Sequence, residues 1–333
     1  MSIKAWAAMG AKQPLQEFEF DPGPLGADEV EVKVSHCGIC HSDLAMIDND
    51  WGFAKYPLVP GHEVIGTVAA VGSSVAGLAV GTRVGVGWHA GSCGRCEWCV
   101  RGRESLCASE RPLIVGRHGG WAEAVRVQAK FAVPIPEGLD SASTGPLMCA
   151  GATVFTPMVE FGVEPWMRVA VVGVGGLGHL AVQFLAQWGC EVTAVSSTHD
   201  KDDLARKLGA TNFIASKGTN ELKKAARSFD YIISTVDGDL PWGEFVNALR
   251  PQGRLVFVGV PSAPLQVPVF SLLAEKSVSG AMCGSPSDTA RMLAFAARHG
   301  IKPMTETFAM KDVNGALDHV RAGKARFRVV LER

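Results

Sequence analysis

The feature that most restricts the fold is a glycine pattern, Gly173-x-Gly175-x-x-Gly178. It follows the apolar run of residues 168–173 (RVAVVG) and opens residues 176–188, whose apolar positions have helical spacing. Alone, such glycines are a weak signal. Between a strand and a helix they form the dinucleotide fingerprint, because a bare backbone can approach a pyrophosphate at the positive end of the helix dipole. Gly176 and Leu177 complete the loop, and a merely structural turn is the alternative. Downstream, strand-like runs at 191–196, 212–215, 231–235, 253–260 and 278–282 alternate with helix-like runs near 201–208, 221–227 and 242–249. Units of that length imply an α/β domain built on a parallel, doubly wound sheet with right-handed crossovers.

Residues 1–150 have another texture. Residues 29–35 (EVEVKVS), 64–71 and 122–127 alternate as strands do, with Gly and Pro between them, which predicts a mostly antiparallel β domain. From residue 285 the chain reads as helix (288–299), short strand, helix (313–322) and strand (326–331), a tail that does not extend the nucleotide sheet. With 333 residues, about two domains are expected.

Lys+Arg number 32 against 33 Asp+Glu, and no basic stripe stands out, so nothing supports capture of nucleic acid or an anionic membrane. Residues 169–189 are the longest apolar stretch, but they contain five glycines, a histidine and two glutamines, which argues against a span. The N-terminus lacks a signal peptide's apolar region and cleavage site, so the cytoplasm is the expected location. Nine cysteines in such a chain read as metal ligands rather than disulfides.

Four of them, Cys93-x2-Cys96-x2-Cys99-x7-Cys107, lie on one glycine-containing loop. Zinc takes four sulfurs tetrahedrally and would keep no open position there, so this ion would be structural. An iron–sulfur site is the alternative, although the spacing is less like the ferredoxin runs. At the end of the second nucleotide-domain strand, where an acid usually meets the adenosine ribose, stand Ser196, Ser197 and Thr198, with Lys201 close by. A carboxylate would repel a 2′-phosphate, whereas hydroxyls and a lysine would accept one. NADP(H) is therefore preferred and NAD is the alternative. Asp200, Asp202 and Asp203 weigh against the preference, and an ordinary polar loop is the plain reading.

Composition alone does not join Cys40, His62 and Cys149. The segments GICHSD (38–43), PGHEVIG (60–66), LMCAGATVF (147–155), GVGGLGHLAVQ (173–183), GVPSAPLQ (259–266), RFRVVLE (326–332) and the four-cysteine loop together resemble the zinc-containing medium-chain dehydrogenase/reductases, in particular the cinnamyl alcohol dehydrogenase-like branch. The resemblance implies a GroES-like catalytic domain over 1–150, completed by 284–333, with a Rossmann domain inserted at 151–283. It implies two zinc ions per chain: the structural one, and a catalytic one held by Cys40, His62 and Cys149, the Cys2His ligand set of alcohol dehydrogenases. Glu63 would sit behind that ion, Asp43 would orient His62, and Ser42 would exchange a proton with the substrate oxygen. Cys37 forms a C-x-x-C with Cys40, but the family pattern uses only Cys40. Further cofactor contacts are implied at His41, Thr153, Thr235, Gly259 and Met282.

Trp51 and Trp88, with His89 beside them, match positions that line the substrate cleft, although core packing is the plain reading of any tryptophan. Two indoles favour flat or apolar primary alcohols and aldehydes over polyols. In many relatives a histidine three residues after the Ser or Thr ends a proton relay, and here that residue is Ala45. The loop between Cys107 and Gly119 is also short for the branch. The resemblance implies a homodimer or homotetramer. Two rivals remain: an NAD-dependent polyol or secondary-alcohol dehydrogenase of the same superfamily, which Cys149 argues against, and a cofactor-binding sensor that catalyses nothing.

Overall fold

The computed structural model describes residues 2–261 and 263–333, so Ser262 of the GVPSAPLQ segment lies outside the described residues. The chain divides into two units, Met1–Ala152 with Cys283–Arg333, and Thr153–Met282. Gly151, Ala152 and Cys283, counted with the nucleotide domain from sequence, thus belong to the first unit.

In the first unit the central element is the strand Glu29–Ile39. Val30, Val32 and Val34 point inward and are buried, while Glu29, Glu31 and Lys33 alternate outward; each buried valine contributes about 1.5–3 kcal/mol. The strand pairs antiparallel with Val64–Val71, Ala124–Gln128 and Arg328–Glu332. A register shift between Val34 and His36 breaks the alternation, and the next residues, Cys37 to Ile39, are all buried. The strand therefore runs four residues beyond the predicted 29–35 and ends immediately before Cys40. Arg83–Val86 and Val133–Pro134 extend the sheet on one side, and Thr305–Ala309 joins it parallel to Arg328–Glu332 on the other. Both strands of the tail thus belong to this sheet. Ile3–Ala7 pairs with Gln16–Phe20, and His89–Gly91 with Arg111–Pro112, in two small separate sheets.

The second unit holds a six-stranded, all-parallel sheet in the order Asn212–Ala215, Glu191–Ser196, Arg168–Val172, Phe229–Ser234, Leu249–Phe257, Ser277–Gly280. Numbered along the chain this is 3-2-1-4-5-6, the doubly wound dinucleotide-binding order. Val169 to Val172 are buried throughout, as expected of a strand covered by helices on both faces. The helix Gly178–Trp188 follows and turns Leu180, Phe184 and Leu185 into the core. The run 169–189 is thus one strand and one helix, and no helix among the described residues is long and apolar enough to cross a membrane.

Candidate active site

Cys40 leaves the central strand and caps the helix His41–Asp48. Its backbone N–H donates to Asp43 Oδ2 at 2.9 Å. Asp43 Oδ1 accepts from the Gly61 N–H at 2.9 Å and lies 2.9 Å from His62 Nδ1. Asp43 and His62 are both fully buried. A carboxylate only accepts, so Nδ1 carries the proton and Nε2 is left as a bare lone pair. That Nε2 is 3.2 Å from Cys149 Sγ, and Cys149 Sγ is 3.8 Å from Cys40 Sγ. Two sulfurs bound tetrahedrally to zinc at ~2.3 Å lie ~3.8 Å apart. One ligand atom each from Cys40, His62, Glu63 and Cys149 falls within a 4.8 Å span, so the donor set fits a zinc ion.

Glu63, fully buried, forms an ion pair with Arg328, which is also buried on the C-terminal strand. Its second oxygen, Oε2, has no hydrogen-bond partner, as expected of an atom turned towards a cation. Gly38 is what leaves room for it, because a Cβ there would collide with that oxygen. Burial pushes the Glu63 carboxyl up, and the Arg328 guanidinium opposes the shift. Cys40 is held well below the ordinary thiol value by the Cys149 thiol and then, against burial, by Arg328 and His62. Arg328 is not legible in the sequence as a site residue: within RFRVVLE the one local signal is an arginine on a strand otherwise built to be buried.

Ser42 Oγ lies 3.9 Å from Cys40 Sγ. The ring of Trp88 meets His62 edge-on at 5.2 Å, and Trp51 meets Trp88 at 6.1 Å. Phe53, which sequence reasoning did not single out, stacks on Trp51 at 5.7 Å. His89 is placed differently from its neighbour: its ring is buried between Glu110 and Cys283, so both nitrogens are occupied inside the protein. His41 lies exposed at the head of its helix. Cys37 is a buried core residue whose thiol burial pushes well up.

Cys93, Cys96, Cys99 and Cys107 also converge, with Sγ–Sγ distances of 3.6 to 3.9 Å. Backbone N–H groups of Cys96 and Ser109 point at the sulfurs of Cys93 and Cys107, each at 3.4 Å. The backbone amides of Arg95 and Cys96 lower Cys93 to about 6. Four sulfurs at tetrahedral separations fit a closed zinc site.

In the second unit Gly173 adopts φ +90° and donates to the Val195 carbonyl at 2.8 Å. Gly178 sits so close to the Gly173 carbonyl that any Cβ would collide with it, whereas a Cβ on Gly175 would meet nothing. Leu177 caps the helix, and Gly176 lies in the loop before it. The Thr235 hydroxyl donates to the Val172 carbonyl at 2.9 Å, and Gly259 packs against the Val236 backbone. Lys201 Nζ donates to the Val174 carbonyl at 2.9 Å, tying its loop to the glycine turn. Ser196 ends its strand, Ser197 is exposed, and the Thr198 hydroxyl is taken up by Asp200 at 2.9 Å. Thr153 is buried on the helix Ala150–Glu160, and Met282 is exposed.

Comparison with known proteins agrees with both units. The family described as "Alcohol dehydrogenase GroES-like domain" matches residues 26–137, and "Zinc-binding dehydrogenase" matches residues 176–298. "Aldehyde reductase AdhA" of Synechocystis sp. is 51% identical over 330 residues, 99% of this chain and 98% of that protein. The chain belongs to the zinc-containing medium-chain dehydrogenase/reductases. Among these alcohol dehydrogenases, a cinnamyl alcohol dehydrogenase of Sorghum bicolor has a similar structure, with a TM-score of 0.94 at 37% identity over 100% of this chain and 98% of that one. The cinnamyl alcohol dehydrogenase of Helicobacter pylori, solved with NADP(H), gives 0.90 at 27% identity, again over 100% and 98%.

Proposed function

We propose that this dehydrogenase is an NADPH-preferring aldehyde reductase that holds two zinc ions and acts on primary, flat or apolar aldehydes, with alcohol oxidation as the reverse reaction. The observation that carries it is the buried convergence of Cys40, His62 and Cys149, with Asp43 fixing the imidazole from behind. Zinc in that set supplies Lewis acidity at the substrate oxygen, and the nicotinamide supplies the hydride. The chain's residues do the rest. Cys40 and Cys149 place two thiolates opposite one dication. Asp43 keeps the His62 lone pair turned outward, and Arg328 balances the charge of Glu63. Ser42 holds and returns the proton at the substrate oxygen, while Trp51 and Trp88 offer flat apolar faces.

Cys93, Cys96, Cys99 and Cys107 hold the second, structural ion. Gly173, Gly175, Gly176, Leu177 and Gly178 receive the pyrophosphate, and His41, Thr153, Thr235, Gly259 and Met282 contribute further cofactor contacts. Support for NADPH comes from Ser196, Ser197 and Thr198, with Lys201, at a strand end that carries no carboxylate, and from the NADP(H) in the Helicobacter relative. The Synechocystis relative's name supports reduction as the working direction. Free cysteines throughout suit the cytoplasm, and self-association into a dimer or tetramer completes the proposal.

A panel of aldehydes assayed with NADPH and NADH in parallel tests this. Higher kcat/KM with NADPH is expected, and Ser196→Asp should shift preference towards NADH by repelling a 2′-phosphate of nearly two negative charges. Equal or better use of NADH by the wild type would overturn the cofactor assignment.

A further inference from the structure

Cys283, His89 and Glu110 form a line of side chains that the reaction above does not use. His89 Nδ1 is 2.6 Å from Glu110 Oε1. His89 Nε2 is 3.2 Å from the Cys283 carbonyl oxygen and 3.3 Å from Cys283 Sγ. A carboxylate and a carbonyl oxygen can only accept, so satisfying both requires an N–H on each ring nitrogen. Burial works against that imidazolium, but Cys283 and Glu110 outweigh it and raise His89 to about 11. The ring itself is only 5% exposed, whereas Cys283 is half-buried and within reach of solvent. A thiol beside an imidazolium that an acid orients has the arrangement of an activated nucleophile. The other two cysteines outside the zinc sets differ: Cys37 and Cys190 are buried, and burial pushes both thiols up.

We propose that Cys283 is a covalent modification site, a nucleophilic thiol that His89 and Glu110 activate towards α,β-unsaturated aldehydes. In the addition, the thiol proton leaves to solvent while the His89 imidazolium steadies the negative charge forming on sulfur, and the sulfur pair forms a bond to the β-carbon. The C=C π pair moves to the α-carbon, which takes a proton from His89 Nε2, and the imidazole regains one from solvent. The product is a saturated aldehyde joined to the protein by a thioether, and no oxidant or reductant is consumed. Trp88 and Met148 line the small cavity beside Cys283 and give the apolar end of an enal something to rest on. The aldehyde class rests on the proposed function; the sulfur chemistry does not, so the two fail separately.

The test treats zinc-loaded enzyme, without cofactor, with iodoacetamide in one arm and cinnamaldehyde in the other. Alkylation of Cys283 is followed by peptide mass and compared with a free peptide of residues 279–287. Cys283 in the protein should react about tenfold faster than in the peptide, in both arms, because a half-buried thiol with no activation would react more slowly. His89→Gln should cut the protein rate by about tenfold or more with both zinc ions retained, and Glu110→Gln by less. Reaction no faster than the peptide overturns the proposal, as does an unchanged rate in folded His89→Gln. Should that variant fail to fold, an unchanged rate in Glu110→Gln overturns it instead. Labelling by iodoacetamide with no enal adduct overturns the aldehyde class.

Discussion

Replacing Asp43 by asparagine probes the positioning of the buried ligand set with almost no change in volume. Asp43 accepts three bonds, from the Cys40 N–H, the Gly61 N–H and His62 Nδ1, all at 2.9 Å, and it is fully buried. An amide keeps one accepting oxygen and turns the other position into a donor. If the oxygen stays with Gly61 and His62, the NH2 faces the Cys40 N–H; if it flips, two donors are left unpaired. Each buried unsatisfied donor costs about 1–3 kcal/mol, and bonds to the charged form lost elsewhere add to this. The total, about 2–5 kcal/mol, is a large part of a typical folding stability of about 5–15 kcal/mol. Loosening the imidazole should also weaken the catalytic ion by about 10–100-fold, while Cys93, Cys96, Cys99 and Cys107 keep theirs. Competition with a chromogenic chelator, followed alongside denaturant unfolding, reads both effects. Two zinc ions released as in the wild type, with unchanged unfolding, would refute the positioning role.

Arg328→Met leaves Glu63 buried without its partner and should cost about 3–5 kcal/mol in denaturant unfolding, part of which Glu63→Gln in the same chain should restore; full additivity would show that the pair is uncoupled. Cys149→Ala should lose one zinc ion and all activity with the fold intact, whereas Cys96→Ala should lose the other ion and expose residues 93–107 to proteases. Loss of both ions from either variant would show that the sites are not independent. Burial lowers His118, and its ring packs against Phe20 at 4.2 Å with Nδ1 unpartnered. The unfolded chain therefore binds this proton first, so stability is whole above about pH 6.5 and is lost as pH falls through the folded-state value. His118→Phe should flatten that acid limb, and an unchanged slope would contradict it.

The four-cysteine cluster and the nucleotide fold were legible because their signals are local: four cysteines within fifteen residues, and glycines between a strand and a helix. The proposed catalytic set was not, since Cys40, His62 and Cys149 come from separate segments that only the resemblance joins. Partners distant in sequence account for most of the rest. Arg328 reaches Glu63 across 265 residues, and Cys283 reaches His89 across 194. Sequence adjacency to Trp88 groups His89 with the substrate pocket, but adjacent residues on an extended chain point to opposite sides, and the ring lies between Glu110 and Cys283. The helix-like run 221–227 is a single turn, Glu221–Lys224, because most of its residues are charged and Leu222 alone is buried. Ala45 showed only that a histidine is missing. The structure adds that the position is 2% exposed, so an imidazole there would overpack the helix at a cost of about 1–3 kcal/mol.

The most direct test of the central claim follows the hydride itself. NADPH carrying deuterium in both positions at C4 of the nicotinamide is turned over with an aromatic aldehyde by the wild type and by zinc-analysed Cys149→Ala. The account predicts one deuterium on the carbinol carbon of the product with the wild type, and no labelled alcohol with the variant, which keeps one zinc ion. Product alcohol without deuterium, or undiminished transfer in the variant, would contradict it.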